Sequence, residues 1–228
     1  MPYFQSTLLY SHVGLGSLAI IVGAIALIAS KGKSTHIRYG KWFAVSMIGS
    51  SLIGAIMGII NYSNFLITGF AGVFSVTLIV SSLLTLKRKQ KHSQLELMIA
   101  SVNGVNILGL LTCFAIALQQ ESGRLFGFYA EDYLFLTLMA TVMLIGDMQY
   151  MTTAIIEPHK RIARHLWRMC LGFFIAAGSA FSGPGATMFP HAIQESGLLF
   201  MPELFIFLFM MYWFIKFRFF HKPNPGKL

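Results

Sequence analysis

Residues 41–91 read KWFAVSMIGSSLIGAIMGIINYSNFLITGFAGVFSVTLIVSSLLTLKRKQK. Two apolar runs lie here, each close to the roughly 20 helical residues that cross a hydrocarbon core of about 30 Å. Only Tyr62, Ser63 and Asn64 separate them, whereas Lys41 stands at one margin and Lys87, Arg88, Lys89 and Lys91 at the other. Cations flank the cytoplasmic ends of membrane helices, so the pattern predicts a hairpin with both ends cytoplasmic and its turn outside.

The whole chain agrees with this stretch. Its 228 residues are 56% apolar, 14% aromatic and 11% charged, with a mean hydropathy of +0.69. A soluble domain carries about 25% charged residues, and so few charges leave no means of covering a water-facing surface. The 17 Lys and Arg outnumber the 8 Asp and Glu. All but Arg124 fall in four clusters: Lys31, Lys33, Arg38, Lys41; then Lys87, Arg88, Lys89, Lys91; then Lys160, Arg161, Arg164, Arg168; finally Lys216, Arg218, Lys222, Lys227. Clusters separated by spanning segments argue for a membrane surface and against a nucleic-acid partner.

Seven apolar segments follow, at 7–29, 41–61, 65–86, 95–118, 132–156, 163–182 and 196–219. The fold expected is all-α, a polytopic bundle of seven transmembrane helices in one domain over 1–222, with 223–228 a short disordered cytoplasmic tail. Basic clusters follow segments 1, 3, 5 and 7, which puts the N-terminus outside and the C-terminus in the cytoplasm. Trp42, Trp167 and Trp213 fall at the cytoplasmic ends, and Tyr3, Tyr10, Tyr62, Tyr129 and Tyr133 at the outer ends, as interfacial anchors. No cation precedes the first segment, so it reads as a retained helix rather than a cleaved signal. Cys113 and Cys170 fall at different depths, beyond the roughly 7 Å that a disulfide spans, and are expected as free thiols.

Lipid gives helices no hydrophobic reason to associate, so small residues must let backbones approach. Stripes at three- and four-residue steps run through His12, Gly16, Ala19, Gly23 and Ala26; through Ser46, Ser50, Gly54 and Gly58; and through Gly172, Ala176 and Ser179. The seventh segment is bulky all round and belongs at the lipid-facing periphery. Gly54-x-x-x-Gly58 fits packing inside the bundle better than a dimer contact, although a homo-oligomer stays open.

Ionisable groups at membrane depth are costly and therefore mark sites. Asp147 lies about 15 Å from the cytoplasmic end if its helix runs to Glu157. With Arg168, His165 and His36 it forms an expected inner cluster, joined by Gln149 or Tyr150. His12 and Glu203, with His191 in the preceding segment, form an outer set beside Pro202. Asn103 and Asn106 share one face of the fourth helix and read as interhelical hydrogen bonds or as contacts along a path. A structural ion pair between Asp147 and Arg168 is the plain alternative to a proton relay, to which His lends a group that titrates near neutral pH.

Zinc, phosphate-loop, nucleophile-elbow and Cys-x-x-Cys motifs are absent from the sequence, and no lysine sits deep in the seventh segment where retinal would need one. The non-enzymatic reading is preferred.

Ser11-His12-Val13-Gly14-Leu15-Gly16, the stretch from Lys31 to Gly40, Gly146-Asp147, and Arg164-His165-Leu166-Trp167-Arg168-Met169-Cys170 followed by Ser179 and Phe181 resemble a family of uncharacterised bacterial inner-membrane proteins of the domain-of-unknown-function type. The resemblance spans nearly the whole chain, and Arg-His-Leu-Trp-Arg-Met is its most specific part. It implies a multi-pass protein of the bacterial inner membrane and lends no activity.

Three functions compete. The first is a small proton-linked permease or conduit for a solute or proton, with the inner and outer sets as the ends of a polar path. The second is a haem b or quinone-binding redox protein, in which His36 with His165 and His12 with His191 would supply axial ligands. The third is a membrane sensor or assembly partner. No metal and no resident cofactor is predicted under the first.

Overall fold

A computed structural model describes residues 2–87, 94–153 and 157–217. The chain forms α1 (Pro2–Ile28), α2 (Ser34–Ile60), α3 (Tyr62–Lys87), α4 (Gln94–Gln119), a hairpin of β1 (Arg124–Leu125) and β2 (Phe128–Tyr129), α5 (Ala130–Thr152), α6 (Pro158–Ala177), α7 (His191–Glu195) and α8 (Met201–Ile215). Six described helices are long and apolar enough to cross a membrane. They are α1 to α5 and the helical stretch from Leu198 to Ile215. The segment expected at 163–182 is also helical, but it is not among the six. Lys160, Arg161, Arg164 and Arg168 all lie in the first three turns of α6, so it lacks a purely apolar character. The tail expected at 223–228 lies outside the described residues.

Several boundaries depart from the hydropathy reading because a helix need not stop where the lipid stops. α2 starts at Ser34, ahead of the expected Lys41, and carries Arg38 and Lys41 outside its apolar stretch. α6 starts at Pro158, whose fixed φ and missing N–H suit the first helical turn. α5 ends at Thr152, since Thr153 is extended (φ −84°, ψ 119°). The stretch 119–131, expected as a plain loop, contains the β1–β2 hairpin. Phe126 (φ 50°) and Gly127 (φ 84°) both turn left-handed there, as a two-residue hairpin loop with the right twist requires.

Small residues decide how closely the helices approach. A Cβ on Gly58 would fall 2.5 Å from the Gly69 Cα, and one on Gly72 would fall 2.5 Å from the Ser51 carbonyl oxygen, so α2 and α3 touch backbone to backbone. Gly16 faces Ser50, Gly54 faces His12, and Gly172 faces Ile79, which draws α1 onto α2 and α6 onto α3. The glycine of the Gly54-x-x-x-Gly58 step is therefore spent within the chain. One apolar core joins α3, α4, α5 and α6 around Phe74, Leu110, Tyr133 and Met143. A second joins α1, α2, α6 and α8 around Ala19, Phe43, Phe173 and Ile206. Ile206 is the one buried residue of α8, which is thus peripheral as its bulky sequence suggested. Tyr133, read as an interfacial anchor, is instead fully buried and donates to the Leu125 carbonyl at 2.9 Å, fixing the hairpin to α5.

Candidate functional site

Arg164 and Arg168 are four residues apart on α6 and so project from one face. That face meets α5 near its C-terminal end. Arg168 Nη2 donates to Asp147 Oδ1 at 2.8 Å, and Arg164 Nη2 donates to the same oxygen. The three side chains are shielded: the residues expose 4% (Asp147), 8% (Arg164) and 0% (Arg168) of their surface.

Each guanidinium has further anchors. Arg164 Nη1 donates to the Gly146 carbonyl at 3.1 Å, and its guanidinium carbon sits 3.6 Å from the Tyr150 ring centroid. Arg168 Nη1 donates to Ser81 Oγ on α3. Ser81 in turn donates to the Thr77 carbonyl at 2.6 Å, and Thr85 donates to the Ser81 carbonyl at 2.8 Å, a buried run of hydroxyls along one face of α3. Glu96 is buried in the first turn of α4. Asp147 Oδ2, Arg164 Nε and Arg168 Nε are buried without a partner among the described residues.

Asp147 and Arg168 are brought together as their chemistry suggested, whereas Arg164 was not picked out. Its four-residue spacing from Arg168 was the available signal. It was masked by membership of a basic cluster, which reads as a solvated helix end. Asp147 is also shallower than expected. With α5 ending at Thr152 it lies five residues from that end, about 7.5 Å rather than 15 Å. Tyr150 joins the cluster through its ring, and Gln149 is exposed.

His165 and His36 stand beside the cluster rather than in it. Ser82 Oγ lies 2.8 Å from His165 Nδ1 and 3.1 Å from the His165 carbonyl oxygen. His36 Nδ1 lies 2.9 Å from the Ala26 carbonyl oxygen, which can only accept, so Nδ1 donates there. At the other end His12 repeats the serine arrangement: its Nδ1 lies 2.8 Å from the Ser50 carbonyl oxygen, and Ser50 Oγ donates to the His12 carbonyl at 2.9 Å.

The outer set does not assemble. Among the described residues no hydrogen bond or ion pair joins His12, Glu203 and His191. Glu203 faces Gly178, where a Cβ would lie 3.5 Å from its Oε2, and its Oε1 is buried without a described partner. His191 is exposed, with Nδ1 3.4 Å from Glu195 on its own short helix. The pair His12 and His191 therefore does not fit a haem, because one imidazole faces solvent instead of the bundle. Asn103 donates to the Ala140 carbonyl of α5 at 2.9 Å, and Asn106 to the Phe70 carbonyl of α3 at 3.3 Å. These two side chains staple α4 to two different neighbours. Among the described residues no three His, Cys, Asp or Glu converge as a metal site.

Lys31 closes the C-terminal end of α1. Its Nζ donates to the carbonyls of Leu27 and, at 3.2 Å, Ala29, complementing the negative end of the helix dipole, and it stands 5.0 Å from the Phe209 ring centroid of α8. Burial pushes its ammonium below the ordinary 10.5.

No family model, curated protein or solved structure matches this chain.

Proposed function

We propose that the chain is a multi-pass protein of the bacterial inner membrane in which α6 also crosses, making seven spans with the N-terminus outside and the C-terminus cytoplasmic. The alternation of basic and uncharged connections supports this orientation. The cations in the first turns of α6 then lie at the cytoplasmic face, and its remaining turns, from Met169 to Ala177, are apolar enough to continue inward.

Within that frame the protein is a small permease or conduit that couples to protons. The observation carrying this reading is one carboxylate oxygen, Asp147 Oδ1, shared by two guanidiniums while its Oδ2 has no described partner. A purely structural bridge is favoured when both oxygens and all donors are satisfied. A half-satisfied one can exchange partners at lower cost. Protonation of Asp147 would loosen α5 from α6, and the hydroxyl of Ser81 lies beside the Arg168 guanidinium. The test is proton flux into vesicles that contain the purified protein and a trapped pH-sensitive dye. Flux that Asp147→Asn abolishes, with the variant folded and inserted, supports the reading. Flux indistinguishable from empty vesicles removes it.

A haem-binding reading has one observation in its favour. His36 holds its Nδ1 proton on a backbone carbonyl, as a metal-ligating imidazole commonly does. A Soret band in the purified protein would shift the assignment to electron transfer.

A further inference from the structure

α8 lies on α1 and α6 without filling the space between them. The three helices enclose a side groove of about 210 Å³, room for a ligand of about ten heavy atoms, since an apolar cavity of about 150 Å³ holds benzene. Three rings line it: Phe173 of α6, Phe181 beyond its end and Phe205 of α8. Ala177, Pro202 and Ile206 belong to the wall where α6 meets α8.

Glu203 stands at that wall. It follows Pro202 and precedes Ile206 by one turn, and its carboxylate faces Gly178, the neighbour of Ala177, where a Cβ would lie 3.5 Å from Oε2. Among the described residues no hydrogen bond or ion pair reaches it, and its Oε1 is buried. Its depth follows from the packing of α6 on α3. Ser82 meets His165 and Ile79 meets Gly172, so the two helices run antiparallel. Gly178, six residues beyond Gly172 and about 9 Å further from the C-terminal end of α3, is level with the middle of that 26-residue helix. An ionisable group at such a depth is costly and marks a site.

The unmet group fixes the sign of the ligand. A buried carboxylate oxygen without a partner is compensated by a cation. Lys31 does not supply it, because its Nζ is held by the Leu27 and Ala29 carbonyls and stands over Phe209, six residues along α8 from Glu203. The groove lining offers no hydroxyl or amide to a strongly hydrated ion, whereas phenyl faces attract a cation that has shed its water.

We infer that the groove binds a small lipophilic cation, an ammonium carrying an aromatic or branched apolar body, with its charge at Glu203 and its body among Phe173, Phe181 and Phe205. The site shares no residue with the Asp147 cluster, and its test measures binding rather than flux.

The probe is benzyltrimethylammonium, compared with 3-phenylpropionate, an anion of similar size, by calorimetric titration of the purified full-length chain in an uncharged detergent. Saturable binding of the cation and none of the anion is expected. Glu203→Gln keeps the shape and removes the charge, and should weaken cation binding by roughly thirtyfold, the equivalent of losing one partner of a shielded charge pair. Undiminished binding by that variant overturns the inference. Two further results do so without it: wild-type protein that binds both probes alike or binds no cation, and cation binding that persists in Ala24→Phe, which fills the groove from the α1 side and leaves Glu203 in place.

Discussion

Arg168 reaches from α6 to Asp147 on α5 at 2.8 Å with its own side chain fully shielded, while Arg164, one turn earlier, ends on the same carboxylate oxygen. The relationship is unequal. Asp147 has two positive partners, whereas each arginine has one carboxylate in direct contact and separate anchors besides.

That asymmetry orders three substitutions. Asp147→Ala leaves two buried guanidiniums and is expected at the upper end of the cost of breaking a buried pair, about 5 kcal/mol. Arg164→Met and Arg168→Met each leave Asp147 with a partner and should cost closer to about 3 kcal/mol. Denaturation in detergent, followed by loss of helical signal, gives the order. An Asp147→Ala variant more stable than either methionine variant would contradict the shared-oxygen arrangement.

Backbone contact between α2 and α3 gives a second expectation. Gly72→Ala drives a methyl into the Ser51 carbonyl oxygen, and Gly58→Ala drives one into Gly69, so each is expected to destabilise by about 1 to 3 kcal/mol. Gly104 on α4 has nothing within 4 Å of its Cβ position. Gly104→Ala should be neutral or favourable by up to about 1 kcal/mol, the difference in helix propensity. Comparing their Tm values checks the sign at each position.

Asn103 separates stapling from transport. Its Nδ2 bonds the Ala140 carbonyl while its Oδ1 is buried and unpaired, so Asn103→Leu removes one bond and one orphaned acceptor together. The expected loss is about 0.6 kcal/mol, typical of interhelical hydrogen bonds in bilayers, with flux in vesicles unchanged. Lost flux in a stable Asn103→Leu variant would put the fourth helix on the path.

Orientation is open to cysteine labelling in a background where Cys113 and Cys170, both buried, are replaced. Single cysteines at Lys33 and Glu157 should react from one side of the membrane, and those at Ser122 and Gln194 from the other. Glu157 and Gln194 labelling from the same side would mean that α6 does not cross.

Much of this architecture was legible as one-dimensional pattern. Hydrophobic length is a local property, so the membrane class and the six apolar spans could be read directly. So could the small-residue faces of α1, α2 and α6, because a helix places every third or fourth residue on one side whatever surrounds it. The unexpected features depend on what a segment meets. Phe126 and Gly127 carry no strong turn signature, and the hairpin is held by the bond from Tyr133 to Leu125, eight residues apart. The segment expected at 163–182 carries its basic cluster in the first turns of α6, and only the packing shows that two of those charges, Arg164 and Arg168, are buried against α5.

Asp147, His165, His36 and Arg168 could be singled out by residue type, because ionisable groups are expensive in lipid wherever they point. Composition and spacing alone determined that the chain is all-α, with helices long and apolar enough to cross a membrane, and which side chains need explaining. Only the tertiary structure decided that Arg164 shares the aspartate oxygen with Arg168, that both histidines turn away to Ser82 and Ala26, and that His12, Glu203 and His191 stay apart. The reason is geometric. A pair of charges forms when two helices present them at the same depth and facing each other, and depth and facing are set by where helices end and how closely glycines let them pack.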